Sequence, residues 1–224
     1  MIVTIDGPAG AGKSSIAHQV ASQLGFEFLD TGALYRAATL AVLRAGIDMH
    51  DSDAVAAVVH DIDLSWQQHA VHIDNENVAA LIRTPEVTRC IRFLADMPPV
   101  RAKLSQIQRQ IANGRNIVTE GRDQGAEVFP TAECKFFLTA SPIERAQRRL
   151  RQLAESGREE TLESVLAAQN QRDLEDRLRD VGRLRAAEDA IIVNTDHMTL
   201  EQVLSKIVAL VRSVMDHDDD PNHA

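Results

Sequence analysis

The chain has 224 residues, with 24 Lys and Arg against 33 Asp and Glu, and a formal net charge of −9. That length suits one α/β domain with insertions or two small domains, and the acidic balance argues against a nucleic-acid polymer as partner, which normally requires a basic footprint. No apolar stretch approaches membrane-spanning length, the eight histidines form no zinc motif, and Cys90 and Cys134 make no C-x-x-C pair, so a cytoplasmic protein away from membranes is the expectation.

In chain order, MIVTI (1–5) is a short apolar run rich in β-branched residues and reads as a buried parallel strand that leaves no room for a signal peptide. Gly7, Pro8, Ala9, Gly10, Ala11, Gly12, Lys13, Ser14 and Ser15 follow, fitting G-x-x-x-x-G-K-[ST]. Glycines let successive backbone N–H groups turn inward on an anion, and a helix N-terminus behind them adds a favourable dipole. In such a loop Lys13 acts as a point charge on the β- and γ-phosphates of a nucleoside triphosphate, and the Ser14 hydroxyl ligates magnesium. Ile16, Ala17, Val20, Ala21 and Leu24 recur at helical spacing, with Gly25 as the stop.

Four further strands are expected at FEFLD (26–30), NIVTE (116–120), CKFFLTA (134–140) and AIIVNT (190–195). Helical patterns between them imply an α/β fold with a parallel sheet covered on both faces. Residues 62–82 hold alternating runs broken by QQ and DNEN, which suggests a small antiparallel, hairpin-like insertion. Ser141-Pro142 with Glu144, and Thr199 with Gln202, have the spacing of helix capping boxes. The acidic ending, 216–224, reads as a disordered tail.

Residues 142–185 contain ten arginines and no lysine, but also nine Asp or Glu. The guanidinium fork suits phosphate oxygens. Against that, Glu144 with Arg148, Asp173 with Arg177 and Glu175 with Arg179 sit at i,i+4, the pattern of a solvated helix face.

LDTGALYRA (29–37), IRTPEV (82–87) followed by PPVRAKLSQIQR (98–109), EGRDQG (120–125) and RDLEDRLR (172–179), together with the phosphate loop, resemble the bacterial-type cytidylate kinases, which are P-loop nucleoside-monophosphate kinases. The resemblance runs from Met1 to about residue 195. It implies a single kinase domain over 1–215, with a five-stranded parallel core, a monophosphate-binding insertion (61–105) and a helical lid (142–182). A monomer is expected. The implied reaction takes ATP with Mg and CMP or dCMP to ADP and CDP or dCDP.

Carried over by motif, Arg36 holds the acceptor's α-phosphate and Thr31 lies near the acceptor nucleotide. Arg101, Arg122 and Asp123 line its base and phosphate end, Arg172 and Asp176 read the ribose, and Arg179 reaches the transferring phosphoryl. Lys13, Arg122 and Arg179 are the expected catalytic residues, with Arg172, Asp176 and Arg179 on one helix face. Ser14 is the expected magnesium ligand, and Asp6, Asp30 and Glu120 are alternative carboxylates for its water shell.

Three positions depart from the family pattern. GRDQG stands where GRDIG is common, Gly182-Arg183-Leu184 where A-P-L is common, and Arg92 where relatives carry a serine that touches cytosine. An inward Arg92 would erode the choice of CMP over UMP, whereas with Val87, Ile91 and Leu94 as the buried stripe it faces outward. A kinase for another monophosphate and a nucleotide-dependent switch are the rival readings. The adenylate-kinase D-G-[FY]-P-R and guanine-reading N-K-x-D stretches are both missing.

Overall fold

A computed structural model describes residues 1–218. The chain divides into two compact units: Met1–Phe28, Asn116–Arg179 and the chain from Arg183 on form the first, and Leu29–Arg115 with Asp180–Gly182 the second.

All five expected core strands form, as β1 (Ile2–Asp6), β2 (Glu27–Leu29), β6 (Ile117–Gly121), β7 (Cys134–Thr139) and β8 (Ile191–Asn194), in the order β2-β6-β1-β7-β8. β1 pairs in parallel with β6 on one side and β7 on the other, and β7 pairs in parallel with β8. With β1 central, successive crossovers leave to opposite sides, so the C-terminal end of β1 lies at the switch point where α/β sheets bind ligands. In the first unit α1 (Lys13–Leu24) and α8 (Leu200–Asp218) close the core, with Val3, Ile5, Phe136 and Leu138 of the sheet meeting Ile16, Val20, Ile207 and Val211. Gly25, at φ 69°, ends α1 as its spacing predicted.

Of the two expected capping boxes, only that of Thr199 and Gln202 is reciprocal; at Ser141 the backbone N–H donates to Asp196 Oδ1 at 2.8 Å and the Glu144 carboxylate turns to Arg148 instead. Ser141 Oγ accepts from Glu144 N at 3.3 Å at the start of α6 (Pro142–Glu155). Thr199 and Gln202 exchange hydrogen bonds of 2.9 and 3.2 Å before α8. Because α8 runs through Asp218, residues 216–218 of the expected tail are helical; residues 219–224 lie outside the described residues.

The second unit is larger than the expected insertion. It contains α2 (Thr31–Arg44), α3 (Ser52–Asp61), α4 (Pro85–Ala95) and α5 (Pro98–Ala112) around a three-stranded antiparallel sheet. Its strands are β3 (Leu64–Gln67), β4 (Ala70–Ile73) and β5 (Glu76–Asn77). The two breaks seen in the sequence are two tight turns, with φ of 51° and 61° at Gln68-His69 and 48° and 68° at Asp74-Asn75. Paired positive φ values give the turn twist that antiparallel hairpins favour. Leu64, Trp66, Val71 and Ile73 on one face of this sheet are buried.

Candidate active site

In the first unit, the loop after β1 turns where only glycine fits. A Cβ on Gly7 (φ 145°) would lie 2.1 Å from the Leu138 carbonyl oxygen, and one on Gly10 (φ 79°) 2.8 Å from Gln169 Nε2. Lys13 is 6% exposed and donates from Nζ to the Pro8 carbonyl at 2.8 Å. Burial, reinforced by the Arg122 charge, lowers its pKa to about 7, against the opposing pull of Glu120 and Asp6. Asp6 is the reciprocal case. Burial raises its carboxyl to about 7, although it accepts from the backbone N–H groups of Gln124 (2.9 Å) and Gly125 (2.8 Å). Those bonds hold the turn that carries Arg122 and Asp123.

The Ser14 hydroxyl donates to Glu120 Oε1 at 2.8 Å, so a hydroxyl and a carboxylate stand together beside the loop. Two hard oxygen donors fit magnesium, an ion that is commonly held by one or two protein oxygens and otherwise by water and phosphate. Of the three carboxylates left open by the sequence, Glu120 is the one beside Ser14. Asp6 is committed to backbone amides, and Asp30 caps α2 through Ala33 N at 2.9 Å.

The arginines converge on one carboxylate. Asp176, 2% exposed, receives Arg122 Nε on Oδ2 and Arg179 Nη1 on Oδ1, each at 2.8 Å. Arg172 is an exposed residue overall, yet desolvation of its guanidinium and the neighbouring charge of Arg122 lower its pKa, while Asp176 opposes the shift. α7 (Leu162–Leu178) ends one residue before Arg179, which takes extended backbone at ψ 146° as the cap. The expected single helix face therefore holds for Arg172 and Asp176, and Arg179 joins them from the helix end.

Two of the three expected surface pairs are corrected. Asp173 does not face Arg177; it is buried on Arg145 at 2.6 Å. Glu175 takes the amide of Gln171 at 2.8 Å, and Arg179 goes to Asp176 instead. Glu144 and Arg148 do pair, at 3.1 Å.

In the second unit, Arg36 donates from Nη1 to Thr88 Oγ1 at 2.8 Å. Burial and then the charge of Arg83 lower its pKa, with Asp30 opposing. Arg83 in turn lies 3.6 Å from Asp30. Arg83 and Thr88 were not singled out from sequence, although Arg83 stands in IRTPEV and a second arginine beside Arg36 is the signal that could have found it. Thr31 is buried in the first turn of α2. Arg101, 8% exposed, donates to the Ala95 carbonyl at 3.1 Å and lies 5.6 Å over the Tyr35 ring. Arg92 is exposed and stacks on its neighbour Phe93 at 5.8 Å.

The family described as "Cytidylate kinase" matches residues 3–213. A cytidylate kinase of Rhodopirellula baltica is 60% identical over 212 residues, covering 95% of this chain and 93% of that one. A bifunctional pantoate ligase/cytidylate kinase of a Synechococcus strain is 43% identical over 222 residues, covering 96% of this chain but 41% of that longer one. Among solved structures, an uncharacterized protein from Eubacterium ventriosum aligns at TM-score 0.55 and 11% identity, covering 95% of this chain and 99% of that one, a likeness of fold alone.

Proposed function

The chain belongs to the cytidylate kinase family, and from that premise we propose that it transfers the γ-phosphoryl of ATP to CMP or dCMP, releasing ADP and CDP or dCDP. The observation that carries the reading is the gathering of Lys13, Arg122, Arg172 and Arg179 with Asp176 in the unit that contains the phosphate loop. No general base is required, because a monophosphate oxygen is already a nucleophile. The protein's work is alignment, charge neutralisation and exclusion of water.

Residues 7–15 cradle the ATP phosphates, with Lys13 supplying positive charge. Arg122, Arg172 and Arg179 bear on the transferring phosphoryl and the acceptor. Arg36, with Arg83 beside it, takes the acceptor's phosphate, since burial and the neighbouring charge of Arg83 lower the basicity of Arg36 and a bound anion relieves that strain. Ser14, with Glu120 beside it, would hold magnesium, which would supply charge neutralisation on the phosphates. Asp123 accepting from cytosine N4 would select that base over uracil, which carries an acceptor oxygen at that position. Among the described residues no helix is long and apolar enough to cross a membrane, and a cytoplasmic setting supplies both nucleotides.

The deciding experiment measures phosphate transfer from ATP to CMP, dCMP, UMP and AMP with the purified protein. CMP and dCMP are the expected acceptors; a higher kcat/KM with UMP or AMP would overturn the assignment.

A further inference from the structure

A buried ion pair that the reaction itself does not use sits behind the phosphate loop. Arg145 of α6 and Asp173 of α7 are each 4% exposed, and their Nη1 and Oδ2 atoms are 2.6 Å apart. The same guanidinium donates to two main-chain carbonyls, from Nη1 to Ala9 at 2.9 Å and from Nε to Ala140 at 3.2 Å. One is in the phosphate loop and the other just beyond the end of β7. Gln169, one turn before Asp173, donates to the Arg145 carbonyl at 3.3 Å, and its Nε2 would lie 2.8 Å from a Cβ on Gly10. Arg145 and Gln169 thus pack against Ala9 and Gly10 of the loop, and Asp173 holds Arg145 in place. Asp173 also adjoins Arg172 and lies three residues before Asp176, so the same helix carries two members of the arginine–carboxylate cluster.

Burying a charged pair is weak as a stabilising device, because desolvation offsets most of the attraction, and well-packed apolar residues of similar volume often serve as well. What the pair adds is direction: a planar fork reaches two carbonyls and a carboxylate at once, which neither lysine nor an apolar side chain reproduces. We propose that Arg145 and Asp173 are positioning residues that fix the phosphate loop in its ATP-binding conformation and register it against α7. The proposal rests on residues 7–15 being the ATP site.

The test uses the full-length chain with Arg145→Lys, Asp173→Asn and the double variant Arg145→Met/Asp173→Leu, assayed below the Tm of each. ATP affinity is read by titration calorimetry, and KM for each nucleotide by steady-state kinetics. Both single variants are expected to bind ATP about tenfold more weakly and to raise KM for ATP to match, with KM for CMP changed less than about twofold. The double variant is expected to keep a near-wild-type Tm, since no charge is left unpaired, and still show the ATP defect. Wild-type ATP affinity in the folded double variant, or equal losses for ATP and CMP in the single variants, would overturn the positioning role. Failure of the wild type itself to bind ATP would instead defeat the assignment of the phosphate loop.

Discussion

Asp176→Asn tests the arginine hub most directly. The carboxylate gives one oxygen to Arg122 and the other to Arg179, both at 2.8 Å, with each arginine side chain 18% exposed. An amide offers one acceptor oxygen and one NH2 donor. Whichever way the substituted amide turned, one guanidinium would face a donor, and the remaining cations would lose their shared counter-charge. Breaking a fully buried pair costs about 3–5 kcal/mol; partial exposure of the arginines reduces this to about 2–3 kcal/mol. At about 2–4 °C per kcal/mol for a protein of this size, Tm should fall by about 5–10 °C. Displaced arginines should lower kcat/KM for the acceptor by about 10²-fold, with KM for ATP changed less than about threefold. Using dCMP separates two roles of one residue. Without a 2′-hydroxyl, dCMP reports the arginine-holding role alone, and any extra loss with CMP reports ribose contact. If the substitution left Tm and dCMP turnover unchanged and altered only the CMP-to-dCMP ratio, the hub reasoning would be refuted.

Lys13, with its pKa lowered to about 7, is partly neutral above that pH, so ATP binding should take up a proton there. Calorimetry in buffers of different ionisation enthalpy should give uptake approaching about one proton per ATP at pH 8 and little at pH 6, and zero uptake at pH 8 would contradict the coupling. For stability, the signs of the two groups oppose. Asp6, raised, makes the fold lose stability as pH rises from 3.8 to about 7, and Lys13, lowered, makes it gain from about 7 to 10.5, so Asp6→Asn should flatten the lower limb of a Tm-versus-pH curve. Gly182→Ala would put a Cβ 1.9 Å from Arg101 Cζ at a φ of +68°. The flexible guanidinium should yield, raising KM for CMP about tenfold with KM for ATP unaltered, and an unchanged KM for CMP would detach Arg101 from the acceptor. Arg92→Ser should leave the CMP-to-UMP ratio of kcat/KM within about twofold, because Arg92 is exposed; a sharpened ratio would return it to the base site.

The fold was legible wherever burial follows side-chain chemistry. β1, β6 and β7 are apolar runs because both faces of a parallel sheet are covered, and α1 shows its buried stripe at Ile16, Ala17 and Val20. The antiparallel insertion was visible as alternation, but its full extent was not. α2 to α5 join it through tertiary packing, which no local pattern reports. The turn at Gln68-His69 was visible only as a break in the alternation, since glutamine gives no sign of a positive φ.

The candidate site was legible in its motifs and misread where polar groups turn inward. α7 buries Val165, Gln169, Asp173 and Asp176, a stripe at helical spacing that is polar in three of its four members. Apolar periodicity cannot find such a face, and charge pairing misassigns it. Asp173 and Arg177 have the spacing of a solvated pair, yet Asp173 faces the other way because Arg145, 28 residues earlier in sequence, supplies its counter-charge. The deciding partner is non-local, so i,i+4 spacing alone was never sufficient. The same reasoning separates Arg92 from Arg101. Both are arginines on helices next to family motifs, but Arg101 has Ala95, Tyr35 and Gly182 to receive its guanidinium, whereas that of Arg92 meets the ring of the next residue. An arginine is drawn inward when the fold supplies acceptors, a π-face and a glycine-sized gap for it, and those three conditions come from different parts of the chain.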